Sequence, residues 1–311
     1  MRIAVVGAGA VGGVFGARLA AAGHDVTFIA RGATLATLRT TGLLLESVHG
    51  NVHLSPVQAT DEVASIGPVD VVLVAVKATQ VAAIAPSLAS LLGPATAVIP
   101  VQNGVESSVQ LAAALGPDHV LEGVCRVIAG LEAPGHIRHT AVVPLFELGP
   151  RSGHPLAPAV AAALPGIVQA INAAGMQAIL PDNMAVALWE KFLFIEPIGV
   201  VCAATGESFG AVRTVPETRA LVDTALDEVI AVGQAVGVEW PAGAKATVWQ
   251  RYDSLPPDER TSMARDLLAR RPSEFEAQTA AVVRLGRQFN VPTPAHDVLA
   301  AVLRPRVITA Q

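Results

Sequence analysis

Two regimes of hydrophobic patterning divide the chain. Up to Leu180, apolar residues gather in short, almost continuous runs at 3–6, 26–30, 69–76 and 97–101. Runs of that length are too short for helices and mark parallel strands buried on both faces. Between them, residues 33–41, 79–92, a segment ending at Leu115, and 159–174 carry helical spacing. Residues 43–45 and 52–54 read as a small hairpin around His49-Gly50-Asn51, and 61–66 as a helical turn closed by Gly67-Pro68. Residues 120–128 read as a further strand and 176–180 as one more. Residues 135–148, rich in β-branched and polar side chains, suit antiparallel strands. Beyond Asn183 the strand signals stop. Apolar residues then recur at helical spacing through Leu188-Phe192-Ile195, Leu221-Ala225-Leu226-Val229 and Val282-Val283-Leu285-Phe289. Residues 240–261 are more polar and Pro-rich, a helix followed by an exposed loop. The pattern predicts an α/β domain with a mainly parallel sheet over residues 1–181 and an all-α domain over residues 182–311.

The first strand runs straight into Gly7-Ala8-Gly9-Ala10-Val11-Gly12, and an Ala-rich amphipathic segment follows to Ala22. Strand, G-x-G-x-x-G, helix and second strand in that order are the fingerprint of a Rossmann-type dinucleotide site. Gly7 permits the tight turn, Gly9 lets backbone approach a pyrophosphate, and Gly12 lets the helix pack close to the sheet. The helix start, with Ala10 and Val11, offers free N–H groups to the phosphates. The second strand ends Phe28-Ile29-Ala30-Arg31, with no acidic residue until Glu46. An Arg there suits the 2′-phosphate of NADP, where an acid would hold the NAD ribose.

Composition changes little and excludes much. Apolar residues make up 52% of the 311 and mean hydropathy is +0.50, yet every apolar stretch is interrupted before it could span a membrane. The N-terminus resembles a signal peptide only superficially, because five glycines between Gly7 and Gly16 make a poor apolar helix. A net charge of −5 argues against a nucleic-acid surface. Cys125 and Cys202 lack metal-ligand spacing and suit buried thiols of a cytoplasmic protein. His49 and His53 have H-x-x-x-H spacing but span a turn with no acidic residue between them, and His136 and His139 fall on opposite faces of a strand, so both pairs read as surface histidines and no metal site is expected. An apolar face on the C-terminal helices would suit a homodimer. Of 21 basic residues only Lys77, Lys191 and Lys245 are lysines, so a lysine stands out. Unlike Arg, a desolvated Lys can release its proton near neutral pH.

Ligands of open parallel sheets bind outside the carboxyl ends of the strands. The glycine loop, Lys77 and Gln102-Asn103-Gly104 all fall there. Lys191 shares a helix face with Leu188 and Ile195, which makes it either a proton donor emerging from an apolar surface or a lysine whose head stays wet. In the late polar cluster, Ser262 with Arg265 or Arg271 could bind a carboxylate, and Glu274 could orient a substrate hydroxyl or a lysine. The alternative is an exposed, charged helix pair.

Taken together, these motifs resemble the ketopantoate (2-dehydropantoate) 2-reductases, over nearly the whole chain. The residues that carry the resemblance are Gly7, Gly9 and Gly12 with Arg31, then Val76-Lys77, then Gln102-Asn103-Gly104. Trp189-Glu190-Lys191 and Ser262-Met263…Asp266…Arg271…Glu274 follow in the family's order. The resemblance implies NADPH as cofactor and a small 2-keto acid as substrate. It implies Lys191 as general acid, Glu274 as partner of the substrate hydroxyl, and Asn103 near the nicotinamide. Lys77 would contact cofactor or substrate, and Ser262 the substrate carboxylate. The family helix commonly carries Asn four and eight residues past the lysine; this chain has Ile195 and Gly199, with Glu196-Pro197 between them. Pro197 removes a helix hydrogen bond and should kink the helix. Two further readings stay open: a reductase of another ketone or an imine, related to opine-forming enzymes, and a non-catalytic NADP-binding regulator. The missing asparagines suit the regulator, and the retained Lys191 and Glu274 argue against it.

Overall fold

The structure, a computed structural model, describes residues 1–307. Among the described residues, ten strands and five α-helices come first, in the order β1 (Arg2–Val6), α1 (Ala10–Ala21), β2 (Asp25–Ile29), α2 (Gly32–Thr40), β3 (Leu43–Ser47), β4 (Val52–Leu54), β5 (Gln58–Thr60), β6 (Val71–Val74), α3 (Ala78–Ile84), β7 (Ala97–Pro100), α4 (Ser107–Leu115), β8 (Leu121–Ala133), β9 (His136–Pro150), α5 (Pro158–Ala173) and β10 (Gln177–Ile179). Helices follow without strands: α6 (Met184–Thr205), α7 (Phe209–Thr214), α8 (Pro216–Ala235), α9 (Ala244–Asp253), α10 (Ser262–Leu268), α11 (Thr279–Gln288) and α12 (Pro294–Leu303). This is the α/β-then-α order that the patterning predicts.

The first sheet runs β5-β2-β1-β6-β7 with every pair parallel. Its almost continuous apolar runs are explained by burial on both faces. Ile3, Val5, Leu73 and Ile99 pack with Phe15 of α1 and Ile167 of α5, while the alternate residues Ala4, Val6, Val72 and Val74 pack with Val81, Leu88 and Leu111. The segment read as one helix over 79–92 is α-helical only to Ile84. Pro86 has no N–H to continue the ladder, and the chain goes on as a 3₁₀ turn, Ala85–Leu91.

The expected hairpin of 43–45 with 52–54 and the antiparallel character of 135–148 both belong to a second, mixed sheet, whose parallel pairings the sequence does not reveal. β9 pairs in parallel with β3 and β10 and antiparallel with β8, and β3 pairs antiparallel with β4. The strand expected at 120–128 runs on to Ala133, because pairing with β9 holds Ala129, Gly130 and Ala133 extended despite their weak strand preference. His139, read from sequence as a surface residue, is 1% exposed. Its ring bonds Ser47 Oγ at 2.8 Å and the carbonyls of Ala141 and Val142, fastening a bulged turn of β9 to the end of β3.

By internal contacts the chain forms two compact units. One holds Met1–Gln102 and Ser107–Met184; the other holds Asn103–Glu106 and the chain from Ala185 onward. Among the described residues no helix is long and apolar enough to cross a membrane.

Candidate functional site

In the sheet unit, the polar elements stand at the carboxyl ends of neighbouring parallel strands. Gly7 leaves β1 at φ +102°, and a Cβ there would lie 2.8 Å from the Val76 nitrogen. Gly12 is more constrained, since its Cβ would sit 2.0 Å from the Gly7 carbonyl oxygen. Gly9 differs from both. It caps α1 with extended backbone and no side-chain hydrogen bond, and nothing lies within 4 Å of where its Cβ would be. The N–H groups of Ala10, Val11 and Gly12 therefore open the helix with no acidic residue in its first turn. Open space beside uncapped helix amides is what a diphosphate requires, so the residues present fit a dinucleotide.

Arg31 stands exposed at the end of β2, where it begins α2. Lys77 is exposed after β6 and begins α3, its own N–H donating to Gln80 Oε1 at 3.3 Å. Gln102 is buried, and its side-chain amide donates to the carbonyls of Val74 (2.7 Å) and Val76 (2.9 Å). It fixes the strand end from which Lys77 follows, a bracing role the sequence motif does not reveal.

In the helical unit, Lys191 lies on α6 and is 8% exposed. The adjoining Trp189 is packing material: its ring meets Phe192 edge-on at 5.6 Å and Trp240 at 6.4 Å, and Gly233 of α8 leaves room for both indoles. Gly199, two turns beyond Lys191, is where Thr261 packs; a Cβ there would lie 2.7 Å from Thr261 Oγ1. Thr261 in turn caps α10, accepting the Ala264 N–H at 3.3 Å, and Ser262 opens that helix exposed to solvent. Glu274 begins the 3₁₀ turn Phe275–Ala277 and is half-buried. Gly104, at φ +109°, lies against the same turn, its Cβ position 2.5 Å from the Ala277 oxygen. Arg284 secures this approach by pairing with Glu106 and donating to the Glu276 carbonyl. Asn103 is thereby held in the segment that packs on the turn led by Glu274.

Two candidates for carboxylate binding are engaged elsewhere. Arg271 bonds Asp266 Oδ1 through Nε at 3.1 Å, and Arg265 donates to the Arg260 carbonyl at 2.8 Å. The conjunction of Asp266 and Arg271 in the late motif thus closes a loop after α10. Both cysteines are buried thiols: Cys125 donates to the Val101 carbonyl at 3.3 Å, and burial pushes the Cys202 thiol up to about 12. Sequence reading missed a cluster of buried polar residues in this unit, Glu196, Glu228, His296 and Tyr252. Its one signal was a carboxylate, Glu196, inside an otherwise apolar helix. Among the described residues no group of three or more His, Cys, Asp or Glu side chains is arranged to hold a metal ion.

Comparisons with known proteins match the chain along both of its units. The family described as Ketopantoate reductase PanE/ApbA matches residues 3–153, and its C-terminal counterpart matches residues 183–307. The chain is similar to a 2-dehydropantoate 2-reductase of Mesorhizobium japonicum, 32% identical over 326 residues that cover 98% of this chain and 97% of the relative. It is similar to the crystal structure of a PanE/ApbA family ketopantoate reductase from Ralstonia eutropha JMP134, with a TM-score of 0.87 at 29% identity and 98% of each chain covered. A D-mandelate dehydrogenase solved with NADH and anilino(oxo)acetate shares the fold, with a TM-score of 0.87 at 22% identity over 98% of each chain.

Proposed function

The chain belongs to the ketopantoate reductase family, oxidoreductases acting on CH–OH groups, and from that membership we propose that it reduces a 2-keto acid to the 2-hydroxy acid with NADPH. The substrate nearest to the family is 2-dehydropantoate, which would place the enzyme in pantothenate synthesis. In this reading residues 1–181 bind the dinucleotide and residues 182–311 the substrate. The observation that carries it is Lys191, one of three lysines in the chain, buried on an apolar helix beside packed aromatic rings.

The bound cofactor supplies a hydride to the carbonyl carbon. The chain's own residues do the rest. Gly7, Gly9, Ala10, Val11 and Gly12 receive the diphosphate on backbone amides, and Arg31 neutralises the 2′-phosphate. Lys191 donates its proton to the carbonyl oxygen as negative charge develops there. Glu274 accepts a hydrogen bond from the substrate hydroxyl, and Ser262 donates to the substrate carboxylate. Asn103 and Lys77 line the nicotinamide side.

A second substrate reading rests on Ile195 and Gly199. With Ile195 half-buried and Gly199 covered by Thr261, the two turns beyond Lys191 present no amide to a hydroxyl. A 2-keto acid with a hydrocarbon side chain suits that surface better than one with a hydroxymethyl group.

Lys191→Ala tests the reading. Removing a general acid is expected to lower kcat about 10²–10⁴-fold while NADPH still binds. Full kcat in that variant would exclude the role. Running 2-dehydropantoate beside phenylglyoxylate, each with NADPH and NADH, separates the two substrate readings.

A further inference from the structure

Several buried polar side chains of the helical unit have no part in this chemistry, and they meet one another. His296, fully buried in the first turn of α12, places Nε2 2.8 Å from Glu196 Oε2 and Nδ1 2.6 Å from Glu228 Oε2. Glu228, on α8, also accepts the backbone N–H groups of Ala295 (2.7 Å) and His296 (3.0 Å). Thr279, on α11, donates its hydroxyl to Glu196 Oε1 at 2.8 Å. One network thus ties α6, α8, α11 and α12 together. Burial favours a neutral imidazole, but Glu196 and Glu228 outweigh it and raise the His296 pKa to about 9. Burial would raise Glu228 too, and its bonds from His296 and Ala295 leave it below the ordinary carboxylate value.

The network grips α6 where that helix is weakest. Pro197, the next residue, has no N–H for the Leu193 carbonyl. Tyr252, fully buried on α9, fills the break. Its hydroxyl donates between the carbonyls of Phe194 (2.9 Å) and Leu193 (3.2 Å), and Ile198 N–H points back to it. Without that ladder bond the helix resists bending less at this point, so its line there depends on what holds it from outside. Lys191 stands five residues before Glu196, on the turn leading into the break.

Well-packed apolar side chains would stabilise such a site as well as a buried ion triad does. The triad adds direction, because its bonds form in one geometry only. We propose that Glu196, His296 and Glu228, with Thr279, form the positioning element for Lys191, setting the line of α6 and hence the place of that amine. The proposal rests on Lys191 being the proton donor. Tyr252 interacts electrostatically with Glu196, and Cys202 with Tyr252. Burial holds the first well above its usual range and the second near 12, so neither ionises with His296.

The small number of lysines makes the test direct. Protein labelled with [ε-¹³C]lysine gives three lysine signals, assigned with Lys77→Arg and Lys245→Arg. In the wild type, the Lys191 signal is expected to share an inflection near pH 9 with the His296 ring signals. In Glu228→Gln the amide oxygen can take the place of Oε2 and still accept from Nδ1–H and from the His296 N–H, at the cost of the Ala295 N–H bond, so the geometry at His296 is kept with one charge fewer. That variant should move the shared inflection to lower pH, because Glu196 alone then faces the imidazole, keep the wild-type Lys191 signal at pH 7, and keep kcat within about threefold. His296→Leu should displace the Lys191 signal and lower kcat at least about tenfold while the Kd for NADPH stays unchanged. A wild-type Lys191 signal indifferent to His296 titration would overturn the proposal, whether or not His296→Leu folds. So would a folded His296→Leu protein with normal kcat and an unmoved Lys191 signal. Full activity in Lys191→Ala would remove the reductase reading instead, and the lysine signals would still report the link between triad and helix.

Discussion

In the sheet unit the groups proposed to meet a ligand are backbone amides and exposed strand-end side chains: the first turn of α1, Arg31 and Lys77. In the helical unit they are side chains whose places depend on other buried side chains. Lys191 sits on a helix interrupted by Pro197 and braced by Tyr252, Glu196 and His296. Backbone placed by a parallel sheet needs little further support, since the sheet's hydrogen bonds already fix it. A side chain on an interrupted helix needs partners that are themselves fixed. The difference teaches that one half of this protein is specified by local conformation and the other by long-range polar contacts.

The largest effect expected to break this contrast comes from His296→Leu. Leaving Glu196 and Glu228 buried without their cation should destabilise the protein by about 3–5 kcal/mol, read by chemical denaturation. The same charge predicts a pH dependence. His296 goes from an ordinary 6.5 to about 9 on folding, so its stabilisation is complete below the lower value and is lost as pH rises through the upper one. That loss amounts to about 3 kcal/mol, and a flat stability profile from neutral pH to pH 10 would show that the imidazole carries no charge.

Two glycines sharpen the comparison from the other side. Gly12→Ala drives a Cβ against the Gly7 carbonyl and should lower stability by about 1–3 kcal/mol, abolishing NADPH binding with it. Gly9→Ala meets open space, so its thermal midpoint should stay within about a degree or two while NADPH binding weakens about tenfold. Equal losses of stability in both would refute the distinction between a turn glycine and an approach glycine. Tyr252→Phe removes only one oxygen, yet it strands the Leu193 and Phe194 carbonyls and is expected to destabilise by about 1–3 kcal/mol, visible in the same denaturation experiment. Arg31→Ala should change stability least, within about 0.5 kcal/mol, because the side chain is exposed. Its effect belongs to cofactor choice, with the preference for NADPH over NADH falling about tenfold in steady-state kinetics.

The amino-acid sequence determined the order of elements, the doubly buried parallel strands and the glycine turn. Each of these depends on neighbours within a few residues: an almost continuous apolar run, a glycine where a Cβ would collide, a proline that stops a helix. It also determined which family the chain joins, through motifs that stay in order along nearly its whole length. Tertiary structure decided what local pattern cannot encode. It drew β8 five residues past its own strand signal by pairing it with β9, and it buried His139 between two strands. It engaged Arg271 with Asp266, and it brought Glu196, Glu228 and His296 together from three helices. A charge in an apolar helix is legible as an oddity, but the partners that neutralise it come from distant segments of the chain, and only folding brings them within bonding distance.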